Sequence, residues 1–429
     1  MTNHSPERLV TALARSTHND RANVEAVDRI CAAQPVLVDV QPAIEVVPGM
    51  TEETILTSGA ALAWEEYRGG QRTGIVGGAL YEGLATSADE VDVLIREGKI
   101  HVRPCQEHGC VGSLAGIYTA SMPVLVVEDA ATGYRGFCNL FEGLSPSRLN
   151  YGVYNEEVRR NLHFLGEVIG PLLGEAIRLI GGVPLRPLMR RALHMGDELH
   201  SRNTAATLLF TRELFTAFLE LAHDRADQAS QVLDYLNASD YFFLRLSMAA
   251  SKVTADAAHG IEGSSVVTGM VFNCNDFAIR VSGLRDEWFR GPLPTKFGAK
   301  LFDGYSDDDI EFMGGESTMN ESVGLGGFAQ AAAFALQDYQ GGSAERMVEA
   351  NLEMYEITLA EHPDYRIPYL GFRGVPIGIE IHRVAETRLT PLLDIGVAGK
   401  AGGQIGAGSY RAPIEPFLAA IDAYARRYS

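Results

Sequence analysis

The chain has 429 residues, 46% of them hydrophobic and 21% charged, a globular composition long enough for two or three domains of ~150 residues each. A net charge of −19 leaves no basic footprint for nucleic acid or an anionic membrane, and no run of ~18 apolar residues is available to span a bilayer. Five scattered cysteines (Cys31, Cys105, Cys110, Cys138, Cys274) outline no disulfide framework, and with a polar N-terminus lacking an apolar signal core they predict a cytoplasmic protein.

In chain order, residues 1–34 read as a polar lead and a helix from Asp20 to Ala33, with Val24, Val27 and Ile30 on one face. Val36 to Val40 reads as a buried strand ended by Pro42. Thr73 to Gly83 is a glycine-spaced segment leading into a helix. It lacks the Gly-Lys-Ser/Thr of a nucleotide loop, so a close helix–strand contact explains its glycines better than a phosphate cradle does. Asp89 to Gly98 is an amphipathic helix closed by glycine. Val102 to Gly116 is a strand and glycine loop, followed by the apolar strand Thr119 to Glu128 and a hairpin partner, Gly133 to Leu140. The spacing of Cys105, His108 and Cys110 matches no zinc pattern. Glu142, Arg148 and Asn150 follow in a turn-rich connection.

Residues 155–262 change character, with apolar and charged residues recurring at helical spacing. The predicted helices are Glu156–Gly170, Pro171–Ile180, Asp197–Leu221, Asp227–Asn237 and Tyr241–Gly260. At the start of the third lies the most chemically loaded stretch of the chain, His194-Met195-Gly196-Asp197-Glu198-Leu199-His200-Ser201-Arg202-Asn203. On a helix His194, Glu198 and Arg202 share one face, and Asp197 and His200 a second. Such acid–imidazole pairs serve proton transfer, hold a metal or fix a charged substrate. The same residues also describe a well-paired helix start capped by Asp197.

Residues 263–429 return to strands: Ser264–Phe272, a tight turn at Asn273–Asp276, then Phe277–Val281 with Arg280. The acidic Asp303 and Asp307–Asp309 lack the EF-hand spacing and read as a solvated loop. Gly324–Gly327 precedes an alanine-rich helix, and Ala344–His362 is a second one. The apolar Leu370–Ile381 follows. Gly396 to Pro413 is the most glycine-dense segment. With Lys400, Ser409 and Arg411 it reads either as an anion-binding loop or as a tight surface loop before the last helix, Glu415–Arg427. The whole predicts a mixed α/β (α+β) fold. Two mixed α/β domains, 1–154 and 263–429, flank a helical domain or insertion at 155–262, whose His194–Asn203 stretch walls an interdomain cleft.

Several stretches resemble one family in order: Leu37-Val38-Asp39-Val40-Gln41-Pro42-Ala43; Thr119 to Glu128; Met195-Gly196-Asp197-Glu198 with His200 and Arg202-Asn203; Ile279 to Leu284; Arg383-Val384-Ala385-Glu386-Thr387; and Gly403 to Gly408 with Arg411-Ala412-Pro413. Together they resemble the AllG family, the G subunit of the three-component oxamate carbamoyltransferase of anaerobic allantoin and purine breakdown. The resemblance implies a transferase subunit interconverting oxalurate plus phosphate with oxamate plus carbamoyl phosphate. It implies as partners an FdrA-like protein, similar to a CoA-ligase subunit, and a third subunit; a homodimer is compatible with it. No cofactor and no metal are expected. Pro104-Cys105 and Val111-Gly112 match the family pattern, whereas His108 and Cys110 fall outside it. The Ser-Thr-Arg-Thr of aspartate and ornithine carbamoyltransferases is absent, so their mechanism does not carry over.

Anionic substrates need cations and N–H donors set against the chain's own negative field. The substrate-binding candidates are Cys105, Arg202, Asn203, Arg280, Gly406, Gly408 and Arg411. His194 or His200 is the expected general acid–base, with Asp197 or Glu198 orienting the ring. Two other functions stay open. One is a metal-dependent hydrolase or lyase acting on a small ureido or amide acid through His194, Asp197, Glu198 and His200. The other is a non-catalytic subunit of an FdrA-containing complex, in which the stretch is structural.

Overall fold

The computed structural model describes residues 20–294 and 298–428, so the polar lead ahead of Asp20 lies outside the described residues. Helix α1 (Asp20–Ala32) leads into β1 (Pro35–Pro42). Next come β2 (Thr54–Thr57), α2 (Gly69–Tyr81), α3 (Ala88–Arg96) and β3 (His101–Pro104), which pairs parallel with β2. The expected hairpin forms from β4 (Pro123–Asp129) and β5 (Arg135–Asn139). With β1 and the short β6 (Val183–Pro184) it makes an antiparallel sheet of order β5-β4-β1-β6. Of the glycines of Thr73–Gly83, Gly83 follows the end of α2, and Gly74, Gly77 and Gly78 lie inside it rather than ahead of it. A Cβ on Gly77 would come within 2.7 Å of Leu149 and Tyr154, so close packing accounts for them.

The stretch 156–257 is built of α4 (Glu156–Phe164), a π-turn (Leu165–Ile169), α5 (Gly170–Leu179), α6 (Leu185–His194), α7 (Thr204–Glu213), α8 (Phe215–Asn237, kinked at Arg225) and α9 (Phe242–Ala257). Helix α6 was not among the helices expected from the sequence, and it carries Pro184 and Pro187. Both sit at its start, where no helical N–H is lost.

The helix predicted from Asp197 instead starts at Thr204, and residues 195–203 form a loop. Gly196 (φ +101°) and Leu199 (φ +71°) are left-handed. The two carboxylates bond locally: Asp197 Oδ2 accepts from Ala206 N at 2.8 Å, and Glu198 accepts from Ser201 N and, at 2.9 Å, from Arg202 N. Short acidic side chains that capture nearby N–H groups offer the backbone an alternative to the helix, and here that alternative wins. The predicted face-sharing of His194, Glu198 and Arg202 therefore does not exist.

Helix α9 lies between the first sheet and the C-terminal part, packed on β4, β5 and α10 (Met319–Ser322). Thirteen of its 16 residues are buried, so its charged side chains must find partners inside the protein or in a ligand. Strands β7 (Val267–Phe272), β8 (Asp276–Val281) and β9 (Trp288–Pro292) form a meander with the expected turn after Phe272. A second sheet has the order β10-β15-β14-β11, from β10 (Ala299–Leu301), β11 (Ile310–Glu311), β14 (Leu392–Gly399) and β15 (Gln404–Arg411).

Between them run α11 (Ala344–Met354), the antiparallel pair β12 (Thr358–Ile367) and β13 (Arg373–Ile379), and α12 (Ile381–Thr387); α13 (Glu415–Tyr428) closes the described chain. Two expectations fail here. The alanine-rich segment after Gly327 forms successive 3₁₀ turns, and the helix expected to reach His362 stops at Met354, where β12 takes over. The mixed α/β class holds. The largest apolar core takes side chains from Ala26 to Ile377, drawing on α1, the first sheet, the helices and β13.

Candidate active site

A cavity of about 300 Å³ opens where these parts meet. Its wall includes Ser113 and Leu114 of the loop after β3, Phe141, Leu144, Pro146, Arg148 and Tyr151 of the connection after β5, His200 and Ser201, Tyr241, Leu244 and Arg245 at the start of α9, Ser317, Tyr339 and Gln404.

Two guanidiniums define its electrostatics. Arg245 is 4% exposed and Arg148 9%. Among the described residues neither makes an ion pair, and Arg245 Nε and Nη1 and Arg148 Nε have no hydrogen-bond partner. Arg148 lies over the Tyr151 ring at 4.0 Å and donates to Gly143 O at 3.2 Å; Phe141 lies within 6 Å of both guanidiniums. A buried, unpaired cation costs several kcal/mol even after relaxation. Two such cations on one cavity, in a chain of net charge −19, make a site complementary to an oxyanion.

Beside them stands a histidine–carboxylate pair. His200, 3% exposed, has Nδ1 2.7 Å from Oε1 of the fully buried Glu321. The partner on Nδ1 leaves Nε2 as the nitrogen free for chemistry. Burial alone pushes the imidazole pKa down; Glu321 outweighs it, and the net direction is up.

Glu321 Oε1 also accepts N–H bonds from Asp394 at 2.9 Å and Gly327 at 3.1 Å, so the carboxylate is fixed from three sides. Buried Asp394 is pushed up to about 6 by burial and by Glu321, and Glu198 is driven well above its ordinary value by burial and by Asp394. Asp394 accepts from Gln330 Nε2 at 2.6 Å; Gln330 reaches Gln340, which donates to Ser201 Oγ at 2.7 Å on the cavity wall. Glu316, pushed up to about 7 by burial, accepts from Gly59 N at 2.9 Å and Gly112 N at 2.7 Å and so anchors the loop carrying Ser113.

Of the site residues expected from sequence, only His200 lines this cavity. Asp197 and Glu198 sit behind it as backbone acceptors, and the carboxylate that orients His200 is Glu321 instead. Asn203 Nδ2 donates to His200 O at 2.7 Å and so holds the loop from behind. Arg202 turns back onto Gly196 O at 3.1 Å and lies 3.6 Å from Asp197.

His194 is exposed and packs edge-on against Phe372. Cys105 is buried, donates to Gly116 O at 3.3 Å, and its thiol is pushed up by burial. Arg280 is buried on Asp256, at 2.6 Å, and Arg411 pairs with Glu353. Gly406 and Gly408 belong to a strand, not an anion loop: a Cβ on either would lie 2.7 Å from the β10 backbone. Among the described residues no three His, Cys, Asp or Glu side chains are placed to hold a metal ion, and the four residues of the metal reading do not converge.

Arg148, Arg245, Glu321 and Gln404 went unassigned at the level of sequence. Arg245 carried one readable signal, a lone cation in the apolar run Phe242-Phe243-Leu244-Arg245-Leu246. Gln404 bridges Tyr151 OH, at 3.4 Å, and Tyr339 OH.

Comparison with known proteins gives a consistent result. Residues 100–317 match the family described as oxamate carbamoyltransferase subunit AllG. The chain is 40% identical to the uncharacterized protein YahG of Escherichia coli (strain K12) over 95% of its own length and 86% of that protein. It is 37% identical to the oxamate carbamoyltransferase subunit AllG of the same organism, over 94% and 97%. The crystal structure of a conserved protein of unknown function from Enterococcus faecalis V583 superposes with a TM-score of 0.92, 37% identity, and coverage of 96% and 98%.

Proposed function

The chain belongs to the AllG family, and from that premise we propose that its cavity carries out carbamoyl transfer within a multi-subunit enzyme of the cytoplasm. The observation that carries this reading is the pair of buried guanidiniums without carboxylate partners, Arg148 and Arg245, on the same cavity as His200. The reaction proposed is phosphorolysis of oxalurate to oxamate and carbamoyl phosphate, and its reverse. The partners are an FdrA-like protein and a third subunit.

Both substrates are small anions, suited to a cavity of about 300 Å³ with two cations. A phosphate oxygen attacks the ureido carbonyl, a C–O bond forms and the C–N bond to the amide breaks. Arg148 and Arg245 hold the phosphate and carboxylate charges and balance the oxyanion that develops at the carbonyl. The departing nitrogen needs a proton. His200 Nε2 supplies it, because Glu321 favours the imidazolium, and recovers it in the reverse direction.

The test is phosphate-dependent oxalurate cleavage by the purified chain, alone and with its partner subunits. Turnover in the assembled complex that is lost in His200→Ala and in Arg245→Met supports the reading. Full turnover in complexes carrying either variant would mean that a partner subunit holds the reacting groups and that this chain is structural.

A further inference from the structure

Where the C-terminus of α6 meets the turn after β12, the surface carries an apolar corner of unusual charge. Met195, Tyr369 and Phe372 are 53%, 65% and 53% exposed. Two edge-on ring pairs brace it: Phe372 against His194 at 5.4 Å and Tyr369 against Phe334 at 4.7 Å. Phe372 has φ +61°, a left-handed conformation that bulky residues rarely adopt, and with it the fold keeps an aromatic ring half out in solvent. Exposed apolar groups that are contiguous and rigidly braced mark interaction surfaces more often than scattered ones do.

The charge around the corner says what kind of surface it meets. Arg190 and Arg366 both act electrostatically on the His194 ring. Among the described residues neither is in an ion pair, whereas the neighbouring Arg186 and Arg373 are neutralised by Asp364 and Glu361. Arg190 and Arg366, the latter donating to Pro363 O at 2.7 Å, therefore keep positive charge without a carboxylate partner beside exposed aromatics. A second copy docked through the same corner about a two-fold axis would set Arg190 and Arg366 against their own images, which like-charge repulsion disfavours.

We propose that this corner docks a different polypeptide, a carboxylate-bearing surface that seats an apolar side chain between Met195 and Phe372. The corner is continuous with the loop that carries His200, since His194 and Met195 open residues 194–203. An occupant there would bear on the chemistry from outside. The proposal does not depend on which reaction the cavity performs.

The test replaces Met195 with p-benzoylphenylalanine in the full chain, expressed in its native cell, and identifies photo-crosslinks by mass spectrometry. The expected product is a crosslink to a different polypeptide through a segment rich in Asp and Glu. Its yield should fall at least ten-fold in Arg190→Glu/Arg366→Glu and recover when the partner's carboxylates are reversed to lysine. Both arginines are exposed, so an unchanged thermal midpoint verifies that the double variant is folded. Phe372→Gly, which the left-handed backbone accepts, should lower the yield without unfolding the chain. Crosslinks only to copies of this chain, a yield indifferent to charge reversal, or no crosslink at all would overturn the proposal.

Discussion

Nδ1 of His200 lies 2.7 Å from Oε1 of Glu321, across 121 positions of sequence and with both side chains buried. This contact occupies Nδ1, leaves Nε2 as the other ring nitrogen of a residue that lines the cavity, and raises the ring's affinity for a proton.

Glu321→Gln removes the charge and keeps the shape. The imidazolium that donates in phosphorolysis is lost as pH rises through the His200 pKa, so the alkaline limb of the kcat profile should move to lower pH in this variant. His200→Ala should lose about 10²–10⁴-fold in kcat, the usual worth of a general acid. The stability effect has its own sign. A histidine pKa raised in the folded state contributes stability that is fully present below the unfolded value of about 6.5 and is lost as pH rises through the folded value. Glu321→Gln should therefore destabilise most in acid and least in alkali, read from thermal midpoints across pH.

Arg245→Met should separate binding from folding. The substitution removes a buried cation that has no ion-pair partner, so the ligand-free variant should unfold no lower than the natural chain. Phosphate at about 100 times its dissociation constant should stabilise the natural chain by ~2.7 kcal/mol and leave the variant unmoved. Differential scanning calorimetry with and without phosphate reads both effects. An equal shift in the two proteins would place the anion elsewhere.

Gly326 is packed against the histidine–carboxylate pair. Its φ is +57°, and an added Cβ would lie 2.2 Å from Glu321 Oε1 and 3.0 Å from His200 Cβ. Gly326→Ala should cost about 1–3 kcal/mol in a denaturant titration and reduce turnover at least as much as Glu321→Gln. The two losses should occur together, because one displaced carboxylate causes both.

Arg280 offers the contrasting case. It lies 2.6 Å from Asp256, whose other partner is Lys252 at 2.5 Å. Burial acts to raise the Asp256 pKa, but the two cations prevail and hold it at about 2. Its contribution is therefore present above the unfolded value near 3.9 and is lost as pH falls toward 2. Arg280→Met should destabilise by roughly 3 kcal/mol and move acid unfolding to higher pH. Its saturated turnover should stay within about two-fold, since Arg280 does not line the cavity. A selective loss of substrate binding would restore it as a ligand residue.

The sequence by itself determined what neighbouring residues decide: β1 stopping at Pro42, the turn between β7 and β8, the last helix, and the mixed class they add up to. The ordered stretches that resemble the AllG family were equally legible. The cavity was not, because pairing is a tertiary property. Arg148, Arg245, Arg280 and Arg411 are the same residue type, and apart from the apolar run around Arg245 nothing in their spacing separates them, yet two are neutralised by Asp256 and Glu353 and two are left facing a cavity. The polar stretch at 194–203 misled for the same reason. Its carboxylates were read as partners for its imidazoles, whereas in the fold they accept backbone N–H groups of their own loop and the ring of His200 goes to Glu321. Which charges are left without a partner, and so are available to a ligand, is settled only when distant segments pack.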